Sequence, residues 1–237
     1  MKVTNMPVTR FAAINELVRD QAIACGRKPD EVRLIAVSKT VDAKTAYAAF
    51  GEGARDFGEN RPECLCEKAL AVSEANWHFI GNIQSRRIPD IVGSATLIHS
   101  LCKSSHADKV SSSARMLGKT QDVLIEVNVS GETSKGGCRP EDALELVQYC
   151  CALPNVRVCG LMTMAPQGDA EVAYACFEQL AALKSDIHGK LNDKYAQSFV
   201  ELSMGMSEDW REAVRAGSTM VRIGRAIFSE AFEDARV

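Results

Sequence analysis

One lysine and two glycine-containing turns carry most of the chemistry that can be read from this chain. Lys39 follows Arg33-Leu34-Ile35-Ala36-Val37-Ser38, so its stem leaves the end of an apolar run. An amine in an apolar setting has a lowered proton affinity and can attack a carbonyl to form an imine. The same lysine could equally snorkel to water at the end of a strand. Ser203-Met204-Gly205-Met206-Ser207 and Arg222-Ile223-Gly224-Arg225 each lie between an apolar run and a helical pattern. Glycine lets the backbone approach a ligand, and the start of a helix offers free N–H groups to an anion. Taken singly, these glycines also suit ordinary tight turns. Together the three features describe a ligand with a carbonyl at one end and a phosphate at the other.

The elements that must position them alternate. Short apolar runs at 33–37, 56–58, 78–81, 96–100, 123–129, 156–162, 199–203 and 220–224 read as eight strands. Helical patterns lie at about 8–25, 42–51, 62–72, 104–117, 140–153, 170–188 and 208–216. Asp42 suits a helix start, Pro140 a first turn, and Gly51 and Gly217 helix ends. Strict alternation forces parallel pairing. Eight such units in 237 residues fit a single-domain α/β protein, a (β/α)8 TIM-type barrel spanning 1–237 with an extra N-terminal helix. The rival open doubly wound sheet favours a glycine-rich turn after the first strand, where this chain has Ser38-Lys39-Thr40. A barrel presents its chemistry at the C-terminal ends of the strands. There the chain delivers Lys39, Glu59 and Asn60, Gly81 and Asn82, Asn128, Met162 and Thr163, then the two glycine turns. The eighth strand closes against the first, which brings Lys39 beside Gly224 and Arg225.

Composition narrows the class. Charged residues make up 25%, aromatics 6%, and the net charge is −3, so neither a nucleic acid nor an anionic membrane surface is an expected partner. No apolar run reaches the ~20 residues of a membrane span, and the N-terminal segment lacks the apolar core of a signal peptide, so a cytoplasmic location is expected. The nine cysteines form no Cys-x-x-Cys pair and no zinc-like spacing with histidine, so they read as free thiols packed as small apolar groups, with no metal site. His78 and His99 lie in apolar strands and read as core histidines. Met162, Met164, Met204 and Met206 cluster near strand ends, as ring-lining groups or as gap fillers.

Six blocks then resemble a known family. They are Leu34-Ile35-Ala36-Val37-Ser38-Lys39-Thr40, Phe57-Gly58-Glu59-Asn60-Arg61, residues 77–85 (WHFIGNIQS), Gly160-Leu161-Met162-Thr163, residues 202–207 (LSMGMS) and residues 217–224 (GSTMVRIG). In this order they resemble the pyridoxal phosphate homeostasis proteins, the YggS/PROSC family, whose barrel is similar to the alanine racemase N-terminal domain (fold type III). The resemblance implies that pyridoxal 5′-phosphate (PLP) is held as a Schiff base on Lys39. It implies that Ser203, with Gly205 in the same turn, and the N–H groups of Gly224 and Arg225 take the phosphate. Arg222 matches the arginine facing the pyridine nitrogen, and Asn60 matches a residue lining the pocket. Two positions depart from the family pattern: Arg225 stands where threonine is usual, and Arg86-Arg87 stands where Asn-Lys is common.

An arginine beside the pyridine nitrogen opposes its protonation and leaves the ring a weak electron sink. In alanine racemase the tyrosine opposite the lysine comes from a second domain. This chain runs only to Val237, so that domain is expected to be lacking, and Tyr47, Tyr149, Tyr174 and Tyr195 fall in or beside helices. The expected function is therefore a PLP carrier and buffer in vitamin B6 homeostasis, with no catalytic residue. It would hand PLP to apo enzymes and is expected to be a monomer. The alternatives are a PLP-dependent amino-acid racemase or lyase, and a Schiff-base aldolase in which Glu59 would be the acid–base group.

Overall fold

A computed structural model describes residues 9–132 and 135–232. It is a closed barrel of eight parallel strands in sequence order. The strands are β1 (Arg33–Val37), β2 (Asp56–Glu59), β3 (Asn76–Phe79), β4 (Leu97–Leu101), β5 (Gln121–Glu126), β6 (Val156–Met162), β7 (Glu201–Ser203) and β8 (Met220–Ile223). The helices are α1 (Phe11–Ala24), α2 (Ala43–Gly51), α3 (Pro62–Ala71), α4 (Ile88–Ser94), α5 (Ser104–Met116), α6 (Ala143–Ala152), α7 (Ala170–Lys190), α8 (Asp193–Ala196), α9 (Trp210–Arg215) and α10 (Arg225–Phe228). Val8, at the expected start of the first helix, lies outside the described residues.

The alternation of side chains along each strand sorts the core into two parts. Leu34 and Ala36 of β1 face the helices and join the large cluster that includes Phe57, Trp77, Phe79 and Trp210. Ile35 faces inward and meets Leu97, Leu124, Met162 and Met220. Gly58 faces inward too; a Cβ there would lie 3.2–3.3 Å from Ile35, Val37 and Ile80. The interior also holds polar side chains. His78, His99, Ser203 and Arg222 are all buried there, at 0–4% exposure, and are joined by hydrogen bonds.

Besides the short helix α8, two features were not legible in the hydropathy pattern. Helix α4 sits between β3 and β4, with Pro89 in its first turn and Gly93 near its end. Those residues read as breakers unless their places in the helix are known. The third strand ends at Phe79, before Gly81. At Gly81 a Cβ would fall 2.1 Å from the Asn60 carbonyl oxygen, so the backbone there passes close to the neighbouring loop.

The ends of β1 and β2 are locked by a buried ion pair. Lys68 of α3 reaches Glu59 at 2.5 Å, and the two side chains are 5% and 0% exposed. Its ammonium also donates to the Ser38 carbonyl at 2.8 Å, and Ser38 Oγ donates to the same Glu59 oxygen at 2.6 Å. All nine cysteines are free thiols. Burial pushes Cys138 and Cys150 up to about 12, which suits packed apolar groups rather than nucleophiles.

Removing Lys68 leaves Glu59 as an uncompensated buried charge. Lys68→Met should lower unfolding free energy by about 3–5 kcal/mol, and adding Glu59→Leu should recover much of it; equal losses in both variants by urea titration would contradict this. The interior histidine adds a pH dependence. Burial first, then the charge of Arg222, holds His99 well below its ordinary 6.5. Below that pH the unfolded chain binds a proton that the native chain refuses, so this contribution is complete above about pH 6.5 and is lost as the pH falls. Between pH 7.0 and 5.5 it should cost about 1 kcal/mol, and His99→Gln should lose that part of the slope; an unchanged slope would refute the assignment.

Candidate functional site

The cavity at the C-terminal mouth is built by strand ends. Ser38, immediately before Lys39, is held by its own N–H to the Gly58 carbonyl at 3.0 Å as well as by Glu59 and Lys68. A fixed backbone thus presents Lys39, which is exposed and lines the cavity. On the other side of the seam, β8 pairs with β1 in the register Ile35↔Arg222 and Ala36↔Ile223. At Gly224 a Cβ would lie 2.9 Å from the Val37 carbonyl oxygen, so only glycine lets β8 end so close to the strand that carries Lys39.

Arg222 is 4% exposed yet lines the same cavity. One terminal nitrogen donates to Ser203 Oγ at 2.6 Å and the other to the Thr163 carbonyl at 3.0 Å. Burial draws its pKa down to about 10, against the opposing charges of Asp209 and Glu126. It therefore remains a cation at neutral pH. Arg225 is exposed, pairs with Glu208 at 2.9 Å and opens α10, whose first N–H groups have no acceptor within the helix.

The cavity has a volume of about 440 Å³, within the ~300–1,000 Å³ range of small-molecule sites. Its lining includes Lys39, Arg222 and Arg225 but no Asp or Glu among the described residues. Three cations without a carboxylate make a site for an anion. A larger depression of about 740 Å³ lies at the N-terminal ends of β5, β6 and β7. It is far from the strand ends where Lys39 and Arg222 converge.

The structure brings Lys39, Asn60, Arg222, Gly224 and Arg225 together around the cavity, with Met162, Met164 and Met206. Ser203 and Gly205 stand outside the lining. Ser203 is fully buried, with Oγ between Arg222 and His99. Gly205 has φ +93° and turns the chain against α9, where a Cβ would meet that of Ala213 at 2.5 Å. The serine at the cavity is Ser207, buried, lining the corner beside Gly224 and 3.5 Å from the Ala226 N–H. Strand parity could have shown this. Glu201 and Ser203 share the inward face of β7, whereas Ser207 lies past the turn. Met204 is buried elsewhere in the core. Glu59, bound to Lys68 and Ser38, does not line the cavity, and among the described residues neither does any tyrosine.

Comparison with known proteins agrees with this geometry. Residues 18–231 match the family described as alanine racemase, N-terminal domain. The chain is 40% identical over 221 residues to the pyridoxal phosphate homeostasis protein of Pseudomonas aeruginosa, covering 92% of this chain and 93% of that one. With the human protein of the same name it shares 38% over 236 residues, covering 92% and 84%. Among solved structures, PipY of Synechococcus elongatus with PLP bound is similar at TM-score 0.78 and 29% identity, over 90% of this chain and 100% of that one. Alanine racemase of Clostridium difficile gives TM-score 0.69 at 15% identity, over 98% of this chain and 63% of that one, a likeness of fold alone. The lysine-bearing barrel described here thus belongs to the pyridoxal phosphate homeostasis protein family, within the alanine racemase N-terminal domain fold.

Proposed function

We propose that this protein binds and releases pyridoxal 5′-phosphate, with Lys39 holding it as a Schiff base, and that it acts as a carrier and buffer rather than as an enzyme. The observation that carries this reading is one cavity containing an exposed amine, a buried guanidinium and a helix start, with no carboxylate in its described lining. The donor set fits the cofactor. Lys39 supplies the amine, Ser207 with Gly224 and the first turn of α10 supplies donors for the phosphate, and Arg222 faces the ring. Asn60, Met162 and Met206 complete the walls. When bound, the group would supply an aldehyde carbon and an electron-accepting ring.

Arg222 limits what can follow. A guanidinium held cationic beside the pyridine nitrogen disfavours a proton there, so the ring accepts electrons weakly. No tyrosine lines the cavity among the described residues, and Glu59 is committed to Lys68 and Ser38. Among the described residues the cavity thus offers a racemase or lyase no second acid–base group and an aldolase no carboxylate, which supports the carrier reading. The exposure of Lys39 suits exchange with amines from solution, which is how a carrier would give up its cargo. The Glu208 carboxylate competes with the phosphate for Arg225. Release to apo enzymes is the expected use.

Two variants test this. Wild type titrated with PLP should gain the visible absorption band of a lysine-bound vitamer, and Lys39→Ala should lose it; a band that survives in Lys39→Ala would overturn the assignment. Ser207→Ala should weaken PLP binding roughly tenfold, the worth of one hydrogen bond to a charged group. Binding of pyridoxal, which lacks the phosphate, should stay unchanged. Equal losses for both vitamers would remove Ser207 from the phosphate corner.

A further inference from the structure

Five side chains cross the barrel interior in an unbroken series. Arg222 Nη1 lies 2.6 Å from Ser203 Oγ. Ser203 Oγ lies 2.9 Å from His99 Nδ1. His99 Nε2 lies 2.9 Å from His78 Nδ1. His78 Nε2 lies 3.0 Å from Asp56 Oδ1. Arg222 opens onto the cavity at the C-terminal mouth, whereas Asp56 begins β2 and lines a small depression at the N-terminal mouth with Arg33 and Asn76. The series therefore runs through the barrel from one end to the other.

The donor inventory fixes its direction. A guanidinium has only N–H groups, so Ser203 must accept from Arg222. The Ser203 oxygen could accept a second bond, but its single proton has no other acceptor among the described residues, so it donates to His99 Nδ1. An imidazole that accepts at Nδ1 is neutral and carries its proton on Nε2, so His99 donates to His78. The same argument makes His78 donate from Nε2 to Asp56. The series ends correctly, since an ionised carboxylate only accepts. Burial works to raise the Asp56 carboxyl, but its hydrogen bonds to His78 and Asn76 and the charge of Arg33 outweigh it and hold it below the usual value. The chain cannot run the other way, because Arg222 cannot accept. Nor is either imidazole doubly protonated: a charge on either ring would require a proton on His99 Nδ1, and the Ser203 hydroxyl proton would then have no acceptor.

We propose that His78 and His99 are positioning residues: with Ser203 and Asp56 they form a one-way hydrogen-bond chain that fixes both rings as neutral Nε2–H tautomers and holds the Arg222 guanidinium at the cavity wall. The chain explains how a buried guanidinium is kept in place. Among the described residues no carboxylate lies within ion-pair distance of Arg222, and its two partners are Ser203 and the Thr163 carbonyl. Aligned dipoles lead from it to the Asp56 carboxylate, whose negative end complements the cation. Breaking any joint leaves a buried polar atom unpaired and frees the guanidinium to turn. The consequence for the bound cofactor rests on the PLP reading above; the chain itself does not.

The chain is tested first without cofactor. The protein has four histidines, and His106→Gln with His188→Gln leaves only the pair of interest. Long-range proton–nitrogen spectra of the 15N-labelled apo protein at pH 7 should show both rings neutral, each protonated on Nε2. A proton on Nδ1 of either ring, or a charged ring, would overturn the proposal. Positioning is tested by Ser203→Ala, which removes the central joint, and Ser203→Thr, which keeps the hydroxyl. Ser203→Ala should shift the absorption maximum of bound PLP and speed its release roughly tenfold, as loss of a charge-assisted hydrogen bond would, and Ser203→Thr should restore both. An unchanged spectrum and release rate in Ser203→Ala would refute positioning. If wild type binds no PLP at all, the cofactor reading fails, and the apo spectra alone decide the chain.

Discussion

Everything at the C-terminal mouth depends on the seam where β8 closes against β1. The register Arg33↔Met220 through Ala36↔Ile223 sets the end of β1, just before Lys39, beside the end of β8 that carries Arg222 and Gly224. A slip of one residue would turn Arg222 out of the barrel and into the helical layer. The seam is held tight at Gly224, where even a methyl group would press on the Val37 carbonyl. The two ends of the proposed ligand are thus gripped by strands that are first and last in the sheet and adjacent only because it closes.

The barrel interior is unusual in what fills it. An apolar layer around Ile35, Leu124 and Met220 is threaded by His78, His99, Ser203 and Arg222. Polar groups this deep are costly unless each finds a partner. Here each does, in a fixed order, and a partnered network of this kind restricts the rotamers of its members. A second buried lock, Lys68 to Glu59 and Ser38, stiffens the backbone just before Lys39. The site therefore combines rigid support beneath with an exposed amine above. That combination suits holding a ligand and letting it go.

Much of this could be read from the chain, and the reasons for the exceptions are physical. Strands β1 and β6 begin and end where the apolar runs do, because nothing but burial defines their limits. The third strand stops short because Gly81 serves a close crossing with Asn60, a contact distant in sequence. Helix α4 was hidden by Pro89 and Gly93, which mark helix ends and turns alike. Lys39, Arg222 and Gly224 were legible as strand-end residues. Ser207 was not, because Ser203-Met204-Gly205-Met206-Ser207 offers two serines and only the end of β7 at Ser203 separates inward from cavity-facing. The histidines were rightly read as core residues, but their order along a chain of partners exists only in three dimensions.

The central claim is a covalent bond between Lys39 and the cofactor aldehyde. Borohydride reduction of the protein after incubation with PLP, followed by peptide mass mapping, tests it most directly. The account predicts a phosphopyridoxyl adduct on the peptide containing Lys39. An unmodified Lys39 peptide, or an adduct confined to other lysines, would contradict it.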